Sequence, residues 1–179
     1  MTRYTPTAIA LHWLTVLAMA FAFGLGLSLA WLNPPQSVKP AMFVSHEWIG
    51  VAILGLALVR LVWRRLHPPP PPLPGPAWQH RVAETVHIAM YTLLLVVPVL
   101  GYVASTALGF PVVWMGVLPL PDFGKNEPLG WQALWVHRRL AWVLGGLIGM
   151  HVGAALFHHL IQRDETLTRM LPWAKPLKR

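Results

Sequence analysis

Four histidines lie in one largely apolar stretch of the sequence, WVHRRLAWVLGGLIGMHVGAALFHHL at positions 135–160; they are His137, His151, His158 and His159. An imidazole inside an apolar membrane segment needs a partner, because hydrocarbon offers it none. His137 and His151 are 14 residues apart. On a helix this spacing places them on nearly one face and about 21 Å apart along the axis. One helix can therefore present one metal ligand to each of two sites at different depths.

Four apolar segments are long enough to hold these histidines inside a membrane. Only 11% of the 179 residues are charged and the mean hydropathy is +0.52, whereas a bilayer span needs about 20 mostly apolar residues. The first segment is longer than the apolar core of a signal peptide and contains His12, so a span is favoured over a cleaved leader. We predict an all-α integral membrane four-helix bundle, one domain over residues 1–179, with helices at about 8–32, 44–63, 82–108 and 135–161.

The orientation of the bundle follows from the positive residues near the helix ends. Ten of the fourteen Lys and Arg residues fall on one predicted side: Arg3, Arg60, Arg64, Arg65, Arg81, Arg163, Arg169, Lys175, Lys178 and Arg179. The other side holds Lys39, Lys125, Arg138 and Arg139. We therefore expect both termini to be cytoplasmic. The net charge of +8 marks membrane topology, and no motif for nucleic-acid binding accompanies it.

Depth within the predicted helices suggests partners for the two histidines. His46 begins the second helix on the outer side, level with His137, so these two form a natural outer pair. His12 lies one turn inside the first helix, near the cytoplasmic side. Depth alone slightly favours His158 over His151 and His87 as its partner, so spacing does not settle the inner pair.

The chain has no cysteine, which excludes disulfides, thiolate metal sites and covalent haem attachment. A structural zinc site needs four converging ligands, which two separated pairs do not supply. Haem needs two axial nitrogens and a slot between helices. Glycines near the histidines make room for such a slot or serve close helix packing: Gly50, Gly55, Gly145, Gly146, Gly149 and Gly153. We predict two haems with both axial positions filled, which favours electron transfer across the membrane.

Over nearly its whole length the chain resembles the bacterial cytochrome b561 family, four-helix di-haem b-type membrane cytochromes. The resemblance is carried by IALHWL at His12, SHEWIGVAIL at His46, VHIAMY at His87 followed by VPVLG, the H-x13-H-x6-HH array of the fourth helix, and DETLTRMLPW. It implies axial pairs His46 with His137 for the outer haem b and His12 with His151 for the inner one. It also implies a multi-pass protein of the bacterial inner membrane.

Some members of this family are similar to a superoxide oxidase, which passes electrons from superoxide through the haems to ubiquinone. Arg138 and Arg139 follow the outer ligand and Lys125 lies in the preceding loop, so they can steer an anion to that haem. The arginines can equally bind haem propionates. The resemblance leaves His87, His158 and His159 without iron, as candidates for a quinone and proton site or for propionate contacts.

Two other hypotheses remain open from the sequence. The chain can be a cytochrome b anchor and electron conduit for a partner dehydrogenase or hydrogenase. It can also be a non-redox transporter that uses the imidazoles as a proton relay or metal pathway. His158 and His159 can simply reach the membrane interface, and His67 and His80 are expected at the solvated surface.

Overall fold

The computed structural model of the protein describes residues 3–171. It contains four long helices: α1, Pro6–Leu27, continued by a π-helical turn at Ser28–Leu32; α2, Lys39–Leu66; α3, Ala77–Ala107; and α4, Glu127–Phe157, continued by a π-helical turn at His158–Gln162. Two short strands, β1 at Val113–Trp114 and β2 at Leu118–Pro119, pair as an antiparallel hairpin between α3 and α4. All four helices are long and apolar enough to cross a membrane, which confirms the predicted fold class. Lys175, Lys178 and Arg179, which entered the charge argument, lie outside the described residues.

All four helices begin before the predicted apolar spans, and polar side chains cap two of them, α1 and α4. The Thr5 hydroxyl accepts a hydrogen bond from the Ala8 amide (3.2 Å), and Pro6 follows at the first position of α1. The Asn126 side chain accepts from the Leu129 amide (3.2 Å), so α4 begins eight residues before its predicted start. At the other ends, the π-helical turns stop at Asn33 and Arg163, both in the left-handed conformation.

The bundle consists of two helical hairpins. α1 packs on α2, α3 packs on α4, and α2 joins the two pairs through its contact with α3. In the described part of the chain, no Cα atom of α1 comes within 8 Å of a Cα atom of α4. Directly packed helices have axes about 8–10 Å apart, so α1 and α4 stand further apart than a close helix contact requires.

An apolar layer fills the middle of the bundle. All four helices contribute to it, with Met19, Ala22, Ile53, Ala57, Leu94, Val97 and Leu144. Leu144 is seven residues from His137 and seven from His151. The packed layer therefore separates two levels of histidines, one towards each end of the bundle. Large apolar side chains such as Phe21, Val62 and Ile88 are exposed on the outside, as lipid contact requires.

The two ends of the bundle differ in structure. At one end, here called the terminal end, Trp63 Nε1 donates to Thr5 Oγ1 (3.0 Å) and Trp13 Nε1 donates to the Met170 carbonyl (2.7 Å), so the two ends of the described chain lie together. The opposite end, here called the hairpin end, carries β1 and β2. There Trp48 Nε1 donates to the Val113 carbonyl (2.8 Å), and Trp114 Nε1 donates to the Trp48 carbonyl (3.1 Å). These reciprocal bonds attach the hairpin to α2.

Candidate functional site

His46 and His137 face each other near the hairpin end. Their ring centres are 6.1 Å apart and the ring planes make an angle of 84°. His46 Nδ1 is 3.0 Å from the Ala22 carbonyl oxygen, and His137 Nδ1 is 2.9 Å from the Val97 carbonyl oxygen. A carbonyl oxygen only accepts, so each Nδ1 carries the proton and donates it. Each Nε2 therefore keeps a lone pair for a metal, in the tautomer that backbone hydrogen bonds typically impose on ligand histidines.

Glycines lie against both of these rings. A Cβ atom at Gly26 would lie 3.1 Å from His46 Cε1, and one at Gly101 would lie 3.1 Å from His137 Cε1 and Nδ1. Gly26 follows Ala22 by four residues and Gly101 follows Val97 by four, so each helix supplies a carbonyl and, one turn later, a surface without a side chain. Nothing in the sequence distinguishes these two glycines from the others, because their role depends on contacts between different helices.

The hairpin-end pair fits a metal held between two imidazoles. Two metal–nitrogen bonds of about 2 Å, with about 1 Å from each nitrogen to its ring centre, place ring centres about 6 Å apart. Within residues 3–171, no cluster of three or more His, Cys, Asp or Glu side chains has the arrangement of a metal site. This donor set suits the two axial positions of a haem and not a tetrahedral ion.

The glycines predicted near the histidines border open space for the most part. A Cβ atom at Gly50, Gly55, Gly146, Gly149 or Gly153 would meet no atom within 4 Å, whereas one at Gly145 would lie 3.4 Å from the Phe23 ring. Close helix packing therefore does not account for these five glycines. Four of the five, Gly55, Gly146, Gly149 and Gly153, are exposed, and those on α4 lie on the face opposite Leu144, so they do not line a space beside the histidines. The separation of α1 from α4 is the observation that fits a flat cofactor between the helices.

Three histidines from three helices meet near the terminal end. The ring centre of His151 lies 6.4 Å from that of His12 and 5.3 Å from that of His87. The structure thus brings together two of the three partners that depth alone had left open. The third, His158, has a different contact, since its Nδ1 lies 2.6 Å from Asp164 Oδ2.

Arg60 joins this group from α2. Its Nη2 lies 3.3 Å from His12 Nδ1, and its guanidinium carbon is 5.3 Å from the ring centre of Tyr91 on α3. From the sequence, Arg60 is expected only as one of the positive residues on the cytoplasmic side. The sequence feature that could have pointed to a functional role for Arg60 is its position inside a membrane span, six residues before the end of α2.

His158 and Asp164 form an ion-pair contact at the terminal end, with both side chains partly buried. Asp164 Oδ1 also accepts a hydrogen bond from the Thr166 amide (2.8 Å). Burial raises the pKa of the Asp164 carboxyl, but hydrogen bonds from Thr166 and His158 outweigh it and hold this pKa below its usual value. An ionised Asp164 makes His158 Nδ1 the donor and directs Nε2 away from the pair.

The other histidines occupy varied positions. His159 Nδ1 is buried and has no hydrogen-bond partner among the described residues. His67 is exposed and stacks on Trp63 with ring centres 4.0 Å apart, and the exposed His80 donates to the Leu73 carbonyl (3.0 Å).

The basic residues near the hairpin end differ in their contacts. Arg138 and Arg139 are both exposed on α4 beside His137. The Arg139 guanidinium lies over the Trp135 ring at 5.2 Å, a cation–π contact on the outer face of the helix. Lys125 pairs with Glu127 at 2.7 Å, so part of its charge is neutralised locally. Of these three residues, Arg138 therefore has the least engaged positive charge.

Comparison with known proteins gives a consistent result. A family model described as prokaryotic cytochrome b561 matches residues 3–173 of the chain. The chain is 34% identical over 174 residues to cytochrome b561 homolog 2 of Escherichia coli strain K12, covering 94% of the chain and 91% of the relative. It is 32% identical over 176 residues to cytochrome b561 homolog 1 of the same organism, covering 98% and 100%. It is also 30% identical over 171 residues to the probable superoxide oxidase CybB of Yersinia pestis, covering 95% and 96%.

Proposed function

The chain belongs to the prokaryotic cytochrome b561 family of haem-containing electron-transfer proteins of the bacterial inner membrane, and from this membership we propose a specific reaction for it. The protein is a single-domain superoxide oxidase that carries electrons through two b-type haems. Superoxide gives electrons at the hairpin end, and ubiquinone receives them at the terminal end. The facing imidazole pairs at two depths of one membrane bundle are the observation that carries this proposal.

In this proposal His46 and His137 would hold the hairpin-end haem, and His12 and His151 would hold the terminal-end haem. The bound haems supply reversible one-electron chemistry. The ring separations of 6.1 and 6.4 Å are similar in the two pairs and support the same mode of binding. With two imidazoles to hold each haem, the bound group would supply electron transfer in preference to oxygen binding.

The proposed orientation places the terminal end in the cytoplasm. Of the residues counted in the charge argument, those that the structure describes at this end are Arg3, Arg60, Arg64, Arg65, Arg81, Arg163 and Arg169. The excess of positive residues on the cytoplasmic side is the general rule for short membrane loops. The hairpin end then faces the periplasm.

Superoxide is the proposed donor because it is a small anion and the hairpin end offers it positive charge. Arg138 is exposed directly after His137, and Arg139 follows it. Positive charge beside a reaction site raises the encounter rate of an anion. The name of the Yersinia pestis relative also supports this donor.

Ubiquinone is the proposed acceptor, and the reaction balances with protons taken up at the terminal end. Two superoxide anions lose one electron each and become two O2, while one ubiquinone gains two electrons and two protons and becomes ubiquinol. We propose His158, oriented by Asp164, and His87 as the groups that hold and deliver those protons. Both histidines are partly buried at this end of the bundle.

Stopped-flow spectroscopy of the purified protein tests the proposal. Anaerobic mixing with potassium superoxide should reduce the haems, and ubiquinone added afterwards should reoxidise them with formation of ubiquinol. Haems that stay oxidised while superoxide disappears at its uncatalysed rate would eliminate superoxide as donor. Co-purification of a peripheral redox subunit that reduces the haems would then favour the anchor and conduit role. Absence of a b-type band in reduced-minus-oxidised spectra would contradict both redox functions and leave the transporter hypothesis.

A further inference from the structure

Arg60 points into the bundle although it lies on a membrane helix close to the lipid interface. Arginines near the ends of membrane helices usually extend towards the headgroups, where their charge is solvated. Here the guanidinium lies between His12 on α1 and Tyr91 on α3. The side chain is partly buried, whereas Arg64 and Arg65, within the next five residues, are exposed. Its direction therefore indicates an interaction in the interior of the bundle.

This interior charge has no carboxylate partner in the described part of the chain. The ion pairs there are Lys125 with Glu127 and His158 with Asp164. A guanidinium does not lose its proton in proteins, so Arg60 stays positive. A charge inside a membrane protein is usually paired. Tyr91 offers its ring face and its hydroxyl oxygen, and His12 offers one neutral nitrogen, so none of these contacts neutralises the charge and an anion is the expected partner.

The contact with His12 adds a constraint on that partner. Arginine has only donors, so in the 3.3 Å contact His12 Nδ1 must be the acceptor. The proton of a neutral His12 then lies on Nε2, which cannot bind a metal in that form. His46 and His137 differ, because backbone carbonyls keep their protons on Nδ1. Ligation through His12 Nε2 therefore requires that the Arg60 guanidinium bind something other than Nδ1.

We infer that Arg60 binds a propionate carboxylate of the haem at the terminal end and thereby leaves His12 Nδ1 free to carry the proton that ligation requires. This inference rests on the proposed binding of haem between His12 and His151. The haem carries two carboxylates, and the planar fork of arginine binds carboxylates through two parallel hydrogen bonds. Arg60 and His12 each lie six residues from the terminal end of their own helix, so they are at similar depth.

The test compares Arg60→Leu with Arg65→Leu in the purified protein. Both variants remove one positive charge from the same helix, but Arg65 is exposed. Haem transfer to excess apomyoglobin and a redox titration give readouts that do not depend on turnover. Arg60→Leu should release the terminal-end haem about tenfold faster, because a charge-assisted hydrogen bond is lost. It should also lower the midpoint potential of that haem, because a nearby positive charge favours the reduced form. Arg65→Leu should resemble the wild type, because solvent screens the exposed charge.

Two further measurements separate the effect of the positive charge of Arg60 from the effect of its bidentate guanidinium geometry and from misfolding. Arg60→Lys should keep the potential near that of the wild type but restore haem retention only in part, since lysine lacks the bidentate geometry. The propionate bending band in resonance Raman spectra should move in Arg60→Leu and not in Arg65→Leu. The hairpin-end haem in the same sample reports the fold, because its ligands lie at the other end of the bundle.

The outcomes distinguish this inference from the proposed function. If the wild type holds two haems and His12→Ala loses one, but Arg60→Leu behaves like Arg65→Leu in all three readouts, the role of Arg60 is refuted and the di-haem function stands. If the wild type holds one haem, or His12→Ala loses none, the proposed terminal-end site fails, and the role of Arg60 fails with it.

Discussion

His46 on α2 and His137 on α4 face each other with ring centres 6.1 Å apart, and each donates Nδ1–H to a backbone carbonyl of a different neighbouring helix. His46 belongs to the helical hairpin α1–α2 and His137 to the hairpin α3–α4. A cofactor bound by this pair thus connects the two hairpins directly. A cofactor that binds only the native state stabilises that state by mass action. Haem content and bundle stability should therefore change together.

Replacing His46 or His137 with alanine should remove one haem and retain the other. Each imidazole is proposed as an axial ligand of the hairpin-end haem only. The haem-to-protein ratio from the pyridine haemochrome assay measures the loss, and redox titration identifies the remaining component. His80→Ala is the control, because His80 is exposed and bonds to the loop carbonyl of Leu73. Retention of both haems in His46→Ala and in His137→Ala would contradict the assignment.

Gly26→Ala should disturb the hairpin-end site. The new Cβ atom would lie 3.1 Å from His46 Cε1, so the ring must shift. Overpacking of this kind costs about 1–3 kcal/mol. We expect a changed haem spectrum and an earlier thermal loss of that haem. Gly24→Ala is a matched control on α1, since its Cβ atom would meet nothing within 4 Å. Equal effects of the two substitutions would show that the contact with His46 is unimportant.

Single alanine substitutions should identify the ligands of the terminal-end haem. Removing His151 should cost one haem, while removing His158 or His87 should leave two. The His87 variant is included because the His87 ring centre is 5.3 Å from that of His151, which makes His87 an alternative partner. The haem-to-protein ratio of the three purified variants shows which histidine binds the terminal-end haem. Two haems in His151→Ala together with one haem in His158→Ala or His87→Ala would show that the proposed pair is wrong.

Arg138→Gln should slow reduction by superoxide more than Arg139→Gln does. The Arg139 guanidinium is held over the Trp135 ring, whereas Arg138 has the less engaged charge. Electrostatic steering falls with ionic strength, so the variant should also show a weaker dependence of the rate on salt. Stopped-flow rates from low to high salt measure both effects, with Arg65→Gln at the terminal end as the control. An unchanged salt dependence in Arg138→Gln would rule out steering by this residue.

Protonation of Asp164 should loosen the turn that follows α4. Its pKa is held below the usual value in the native state, because Thr166 and His158 donate to the ionised carboxylate. A depressed native pKa stabilises the fold above the unfolded pKa, and this contribution is lost as pH falls through the lower native value. Hydrogen exchange at the Thr166 amide, corrected for its intrinsic rate, should therefore become faster below about pH 4.

Asp164→Asn provides the control for this pH dependence. The amide oxygen still accepts a hydrogen bond but has no charge to lose, so exchange at Thr166 should be nearly independent of pH over the same interval. A persistent acid-induced loss of protection in Asp164→Asn would assign the effect to another group.

Much of the fold was predictable from the sequence because membrane insertion depends on local composition. A run of apolar residues must become a helix in hydrocarbon, where every backbone polar group needs an internal partner. The four spans followed from this requirement. Their true ends did not, since the Asn126 cap starts α4 at Glu127, eight residues before the apolar run, and a π-helical turn at His158–Gln162 continues α4.

The sequence by itself determined that His137 and His151 lie on one helix face at two depths, because the periodicity of a helix fixes both angle and rise. Only the tertiary structure decided what surrounds them. The carbonyls of Ala22 and Val97 orient the hairpin-end imidazoles, Gly26 and Gly101 lie against the rings, and Arg60 reaches His12. These contacts join residues 20 or more positions apart in the sequence. Their existence depends on how the helices pack and rotate, which is a property of the whole bundle and not of any single segment.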